Sequence, residues 1–157
     1  MPPFTLDGNF DNNALTASST TDNAFGMALR SNFVITGNFS NNTFTIESTS
    51  GNAAGVIFIA SSSGSIASSG AIDGNTFDVI SSIPGNYGAF SNFLNSSFSL
   101  YNIQNNDFSG SNTTNKILLA GGGTINIYGA TDAQDLVDNN TGLTLANITD
   151  SAVTYNS

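Results

Sequence analysis

The segment Phe39-Ser40-Asn41-Asn42-Thr43-Phe44 is one copy of a pattern that recurs along the chain. The pattern is an apolar residue, two further residues, an asparagine, one residue and a second apolar residue. Its other copies are Phe10/Asn13/Leu15, Ile72/Asn75/Phe77 and Ile103/Asn106/Phe108, with a degenerate fifth copy at Leu136/Asn139/Thr141. The copies start near positions 10, 39, 72, 103 and 136. A fixed period of about thirty residues is the signature of a repeat protein.

Each period carries further features in phase with this pattern. In the first three copies a glycine follows sixteen residues after the first apolar position: Gly26, Gly55 and Gly88. An apolar segment comes after each glycine, as in Val56-Ile57-Phe58-Ile59, and a third apolar segment, such as Phe33-Val34-Ile35, closes the period. Clusters of Ser, Thr, Asn and Gly separate these segments, which is the composition of turns. We predict three short strands per period and almost no helix, except for one helical turn between Thr131 and Val137.

Three short strands in each period fit a solenoid in which one period makes one coil. Equivalent positions would then stack at the strand spacing of roughly 4.8 Å. The first apolar residues of the copies would form an inward column, and the asparagines would form a hydrogen-bonded ladder of Asn13, Asn42, Asn75 and Asn106. We therefore predict one all-β domain over residues 1–157. It is expected to be a right-handed parallel β-helix of about five coils, with a length of roughly 24 Å.

An antiparallel β-barrel or sandwich is the alternative fold. Gly-Asn pairs, as in Ile35-Thr36-Gly37-Asn38 and Ile72-Asp73-Gly74-Asn75, are also hairpin signals. An antiparallel meander does not require features in phase at about thirty residues, whereas a solenoid does. The phasing therefore favours the solenoid.

The repeat resembles that of right-handed parallel β-helix proteins. Phe10-Asp11-Asn12-Asn13 and Phe39-Ser40-Asn41-Asn42 are similar to the Phe-x-x-Asn element of polymorphic outer-membrane adhesins and autotransporter passengers, and Gly55-Val56-Ile57 is similar to their Gly-Gly-Ala-Ile element. The resemblance implies an elongated, surface-exposed scaffold and carries over no catalytic residue. A looser likeness, to the hydrophilic barrels of surface lipoproteins, lies in Asn41-Asn42-Thr43-Phe44 and Asp73-Gly74-Asn75-Thr76-Phe77.

The charge balance excludes several functions. The net charge is −9, and the only bases are Arg30 and Lys116. Binding to nucleic acid or to an anionic membrane surface needs clusters of Lys and Arg, so neither is expected. No apolar run approaches the roughly eighteen residues of a membrane-spanning helix, and Met1-Pro2-Pro3-Phe4 lacks the basic and apolar parts of a signal peptide.

The catalytic repertoire of the chain is equally narrow. Without His or Cys, Ser-His and Cys-His nucleophiles and thiolate metal sites are impossible. We expect no catalytic residue, no cofactor and no metal ligand, and hence no enzyme.

Two weaker alternatives involve carboxylates. Asp73, Asp78 and Asp107 could supply the carboxylate pair of a glycosidase, and the run Asp132, Asp135 and Asp138 could bind Ca²⁺, although solvated turn or helix-start residues explain both groups more simply.

The leading functional hypothesis is a non-catalytic extracellular structural or adhesive protein, secreted or on the cell surface. Because solenoid ends expose unpaired strand edges, copies are expected to stack end to end into homo-oligomers or filaments. The alternative is a module that binds glycans or a cell-surface receptor. In that case the aromatic side chains of Tyr87, Tyr101 and Tyr128 are the candidate ligand contacts.

Overall fold

The computed structural model describes residues 4–30, 32–59, 63–84, 87–93, 97–119, 123–148 and 153–157. Over these ranges the chain is a parallel β-solenoid of about five coils with almost no helix. Every strand pair found in the described ranges is parallel and joins segments about one period apart. The antiparallel barrel or sandwich is therefore wrong, because the Gly-Asn pairs are bends between strands of one coil and not hairpin reversals.

The strands follow one another coil by coil. Coil 1 contains β1 Phe4–Leu6, β2 Phe10–Asp11, β3 Ala14–Ser19 and β4 Ala24–Leu29. Coil 2 contains β5 Phe33–Ile35, β6 Phe39–Ser40, β7 Thr43–Ser48 and β8 Ala53–Ile59. Coil 3 contains β9 Ser63–Ile66, β10 Ile72–Asp73, β11 Thr76–Ser81 and β12 Phe90–Phe93. Coil 4 contains β13 Ser97–Tyr101, β14 Ile103–Gln104 and β15 Ile117–Leu119. Coil 5 contains β16 Ile125–Tyr128, helix α1 Ala133–Asp138 and a 3-10 turn at Leu145–Asn147, after which β17 Val153–Asn156 follows.

Equivalent strands form four sheets along the solenoid. Sheet A has the order β1-β5-β9-β13-β16-β17, sheet B the order β2-β6-β10-β14, sheet C the order β3-β7-β11 and sheet D the order β4-β8-β12-β15. Single bridges extend sheet C through Asp107 to Thr141, and sheet D from Ile117 to Ile148. The predicted helical turn is confirmed as α1, whose N-cap is Asp132.

Alternating side chains build the core. In β7 the outward positions Thr43, Thr45 and Glu47 are exposed, whereas Phe44 and Ile46 point inward and are fully buried. This is the period-2 pattern of a strand with one solvated face. Stacked on the next coil, Phe44 lies over Phe77 with ring centroids 4.9 Å apart.

The predicted columns are confirmed by the register. Phe39 pairs with Phe10 on one side and Ile72 on the other, and Ile72 pairs with Ile103. Phe77 stacks in turn on Phe108 at 5.2 Å. The columns form one continuous core along the solenoid. Each buried side chain of this size stabilises the fold by roughly 1.5–3 kcal/mol.

Two expected equivalences are wrong by one residue. The ladder position of coil 5 is Asn140 and not Asn139, because α1 takes the place of the two-residue strand of earlier coils and Asn140 lies 34 residues after Asn106. The glycine column contains Gly26 and Gly55, but its third member is Ala89 and not Gly88. The pairing of Val56 with Phe90 fixes this register. The third period has one more residue ahead of its apolar segment.

The bend before each ladder asparagine has its own conformation. Asn12, Asn41, Gly74 and Asn105 have φ angles of 58°, 53°, 65° and 54°. These residues immediately precede Asn13, Asn42, Asn75 and Asn106. Glycine and asparagine tolerate this left-handed region best. The left-handed bend therefore lies at the residue before each ladder asparagine and not at the asparagine itself.

Candidate functional site

The asparagine ladder is the most extensive polar feature of the interior. The Oδ1 of Asn42 accepts the backbone N–H and the Nδ2 of Asn13, both at 3.0 Å. The same two bonds join the following pairs. The Oδ1 of Asn75 accepts both groups of Asn42, the Oδ1 of Asn106 accepts those of Asn75, and the Oδ1 of Asn140 accepts those of Asn106. The middle asparagines are fully buried. All of these bonds run in one direction, with each coil donating to the next coil toward the C-terminus.

The two ends of the ladder differ chemically. At the C-terminal end, the Nδ2 of Asn140 donates to the carbonyl of Leu136 in α1 at 2.8 Å, and its backbone N–H donates to the carbonyl of Val137 at 3.5 Å. The helix therefore satisfies the last donors. At the N-terminal end, no group in the described part of the chain donates to the Oδ1 of Asn13. The ladder is closed at one end and presents an acceptor at the other.

The apolar core shows the same asymmetry. In coil 1 the inward residues Phe10, Leu15 and Ala17 are only half-buried, since no other coil in the described part of the chain lies on their N-terminal side. In coil 5, by contrast, the apolar side chains of Leu136 and Ile148 are buried. The N-terminal end is thus an uncovered apolar surface, which we call the open end and define by Phe10, Asn13, Leu15 and Ala17.

The three candidate tyrosines do not form one site. Tyr101 and Tyr128 stack on adjacent strands β13 and β16, with ring centroids 4.5 Å apart and planes inclined by 6°. Tyr87 lies near sheet D, where its ring meets Phe25 edge-on at 6.2 Å. The structure brings together two of the three predicted contacts.

Tyr87 borders a small apolar cavity that sequence reasoning missed. Asn23, Phe25, Ile57, Ile59 and Tyr87 line this space of about 160 Å³. Burial raises the pKa of the Tyr87 hydroxyl. A drug-sized ligand needs about 300 Å³ or more, so the cavity is too small for one. The only feature of the sequence that pointed to this cavity was the unbroken apolar run from Val56 to Ile59, because such a run is typical of a strand covered on both faces.

A more open groove follows the outer face of sheet A. It has a volume of about 400 Å³ and is lined by Asn32, Val34, Ser63, Gly64, Ser65 and Ser99. These side chains are small, and none is charged. The groove can offer hydroxyl and amide groups to a ligand but no acid-base chemistry.

The candidate catalytic carboxylates are separated by the register. Asp73 lies between Ser40 and Gln104 in sheet B. Asp78 pairs with Thr45 in sheet C, whereas Asp107 bridges Thr76 and Thr141. Hydrogen bonds from the side chain and backbone N–H of Ser109 lower the pKa of the Asp107 carboxyl. None of the three carboxylates therefore stacks directly on another.

The acidic run near the C-terminus serves the helix. The Oδ1 of Asp132 accepts the backbone N–H groups of Gln134 and Asp135, which is an N-cap. The hydroxyl and the backbone N–H of Thr131 donate to Asp135 and lower the pKa of its carboxyl. Asp138 accepts from the side chain of Gln134. In the described ranges no three acidic side chains are grouped as metal ligands would be, and the Ca²⁺ hypothesis stays a prediction.

Lys116 is a buried cation that sequence reasoning did not single out. Pairing of Phe90 with Ile117 places it in the column of Gly26, Gly55 and Ala89. It is 7% exposed, and its Nζ donates to the carbonyls of Phe108 at 2.8 Å and Gly142 at 2.7 Å. Burial lowers the pKa of its ammonium group. The signal in the sequence was a charged residue at a position that glycine or alanine occupies in the other coils.

No known protein-family model matches the sequence, and no curated protein and no solved structure matches it. No helix among the residues placed by the structure is long and apolar enough to cross a bilayer.

Proposed function

We propose that the protein is a non-catalytic structural scaffold, secreted or displayed on a cell surface, whose copies stack end to end. The single observation that carries this proposal is the open end. Phe10 and Leu15 point into the solenoid but are only half-buried there, beside the Asn13 acceptor. A contiguous uncovered apolar surface on a soluble protein marks an interaction site.

The chemistry of the side chains supports a non-catalytic role. The candidate carboxylates Asp73, Asp78 and Asp107 are kept in separate columns. The one buried cation, among the described residues, is engaged by two backbone carbonyls. The resemblance of the Phe-x-x-Asn repeat to outer-membrane adhesins supports a place at the cell surface and an adhesive use.

Assembly is tested by measuring the size of the protein over a wide concentration range. Sedimentation velocity should show oligomers that grow with concentration, and negative-stain microscopy should show rods of constant width. Monomers at every concentration would overturn the end-to-end proposal. Fractionation of the producing cells tests the location, and recovery of the protein in the cytoplasm alone would contradict it.

A second candidate function is binding of glycans or a surface receptor. The stacked pair of Tyr101 and Tyr128 favours it, because half-buried aromatic rings on sheet A can pack on sugars, and the polar groove that includes Ser99 lies on the same sheet. A glycan array probed with wild-type protein and Tyr101→Ala separates this role from a purely structural one. Tyr87→Phe is the matched control, since Tyr87 lies near a different sheet.

A further inference from the structure

Sheet A has six levels along the solenoid, whereas each of the other three sides has five. It contains six strands, and β1 and β17 are its edges. Sheet B has four strands followed by α1, sheet C reaches a fifth level at Thr141, and sheet D reaches a fifth level at Ile148. The first and last described strands, β1 and β17, thus lie in the same sheet. That sheet is one strand spacing longer than the other three sides.

This difference conflicts with simple stacking of copies. If β17 of one copy paired with β1 of the next, sheet A would be continuous across the junction. The other three sides would then be separated by one extra strand spacing, roughly 4.8 Å. Phe10, Asn13 and Leu15 of the second copy would remain uncovered. Removing one strand of sheet A from the junction would close that gap.

The last strand matches the first in position and pattern. Val153, Thr154 and Tyr155 occupy the same columns as Phe4, Thr5 and Leu6, since sheet A pairs these positions throughout. Both segments place large aliphatic or aromatic residues on either side of a threonine. In each, the outer position is the exposed threonine.

The hydrogen bonding of the two strands is also equivalent. The N–H of Phe4 donates to Asn32 at 2.9 Å, so alternate residues of β1 bond to β5. In β17 the carbonyl of Asn156 accepts from Gly129 at 2.9 Å, and the same alternation directs the N–H of Val153 away from β16. Val153 of one copy can therefore donate to Asn32 of another copy as Phe4 does.

The first strand is held weakly enough to be replaced. It has three residues, β5 is its only partner among the described strands, and Phe4 is 69% exposed. Its ladder includes bonds of 2.9 Å from Phe4 to Asn32 and 3.1 Å from Thr36 to Leu6. An incoming strand that makes the same bonds offsets their loss. Replacement of β1 by the equivalent β17 of another copy resembles domain swapping, which is a low-cost route to assembly.

We propose that β17 of one copy displaces β1 of a second copy and pairs in parallel with β5 of that copy. The register is Val153 beside Phe33, Thr154 beside Val34 and Tyr155 beside Ile35. This arrangement brings coil 5 of one copy directly onto coil 1 of the next on all four sides and covers the open end. It rests on the proposed end-to-end assembly and specifies its junction.

Electrostatics should regulate the junction. Asp7, Asp11 and Asp22 lie in coil 1, and Asp132, Asp135 and Asp138 lie in coil 5. Apposing two acidic ends is unfavourable at low ionic strength. Salt screens exposed charges beyond about 10 Å at 0.1 M, so the proposed assembly should strengthen as the salt concentration rises.

Cysteine pairs in the full chain, which has no native cysteine, distinguish the possible junctions. The exchange pair is Val34→Cys with Thr154→Cys. Within one chain these positions are four strand spacings apart, roughly 19 Å, so a short bifunctional thiol reagent joins them only between copies. The edge pair, Thr5→Cys with Thr154→Cys, reports simple addition of β17 to β1. The control pair, Thr5→Cys with Val34→Cys, lies on adjacent strands of one chain.

We expect the exchange pair to give covalent dimers and higher multimers on a denaturing gel, more abundantly at high salt, and the edge pair to stay monomeric. Circular dichroism verifies that the variants fold. Intrachain linkage of the control pair verifies that the thiol at position 34 is accessible to the reagent. Cross-linking of the edge pair in place of the exchange pair would overturn the exchange. Oligomers without linkage of the exchange pair would refute this junction alone, whereas monomers throughout would refute the proposed assembly itself.

Discussion

The amide oxygen of Asn75 accepts both the backbone N–H and the side-chain Nδ2 of Asn42, each at 2.9 Å. The Nδ2 of Asn75 donates to Asn106 at 2.8 Å and to the carbonyl of Phe39 at 2.8 Å. Both asparagines are fully buried. Since a buried polar group without a partner costs about 1–3 kcal/mol, each member of the ladder is needed by its neighbours.

Replacement of Asn75 by Ala should therefore be strongly destabilising. The change leaves the N–H of Asn42 and the carbonyl of Phe39 without these partners, and we expect a loss of about 3 kcal/mol or more in the free energy of unfolding. Asn13→Ala is the matched control, because Asn13 is half-buried and nothing in the described part of the chain donates to its Oδ1. It should cost about 1 kcal/mol. Urea titration measures both, and equal losses would contradict the ladder account.

The left-handed bends allow a test of backbone conformation alone. Asn41 has a φ of 53°, and its equivalent in coil 3 is Gly74. Asn41→Gly should change stability little. Asn41→Val should cost about 1–2 kcal/mol, because a side chain branched at Cβ is strained in this region. Thermal unfolding of the two variants gives the comparison. A valine variant as stable as the glycine variant would show that the bend is not maintained in solution.

Lys116 should hold coil 5 to coil 4. Lys116→Ala removes the donor to Phe108 and Gly142 but fits the backbone, since residue 89 in the same column is alanine. We expect a loss of about 2 kcal/mol, together with faster hydrogen exchange at the amide of Thr141. Exposed Arg30→Ala should stay within about 0.5 kcal/mol of wild type. Unchanged exchange in coil 5 would rule out this role.

The same lysine predicts a pH dependence. Burial lowers its pKa in the folded state below the ordinary value of 10.5, so the unfolded chain binds its proton more tightly. Between the lowered pKa and about 10.5 the unfolded state carries more protons, and stability rises with pH in that window. The free energy of unfolding of wild type relative to Lys116→Ala should thus increase with pH from the lowered pKa up to about 10.5. A constant difference would mean that the ammonium group is solvated.

Phasing in the sequence was sufficient to predict the coil. Phe39, Asn42 and Phe44 recur with their neighbours at one-coil intervals, and each lies where the repeat places it. A column of residues at a constant period has few structural explanations, because antiparallel sheets do not bring such positions together. The columns, the parallel pairing and most strands followed from this one regularity.

What the sequence could not supply depends on shifts of a single residue. Asn140 takes the ladder position because α1 takes the place of the two-residue strand of earlier coils, and Ala89 takes the glycine position because coil 3 is longer by one ahead of β12. Both neighbours, Asn139 and Gly88, fit the pattern equally well by composition. The inward path of the Lys116 side chain depends in turn on that corrected register. The separation of Tyr87 from the other two tyrosines likewise depends on which sheet each one joins.

The identical hydrogen bonding of Asn42 and Asn75 has a consequence for how such a chain can vary over evolutionary time. Duplication or loss of one whole period would leave every remaining ladder amide with an equivalent partner, since the new neighbours present the same groups in the same register. An insertion of one or two residues inside a strand would instead shift inward side chains to the outer face. Length in this protein should therefore change in whole-period steps, with small insertions confined to the bends.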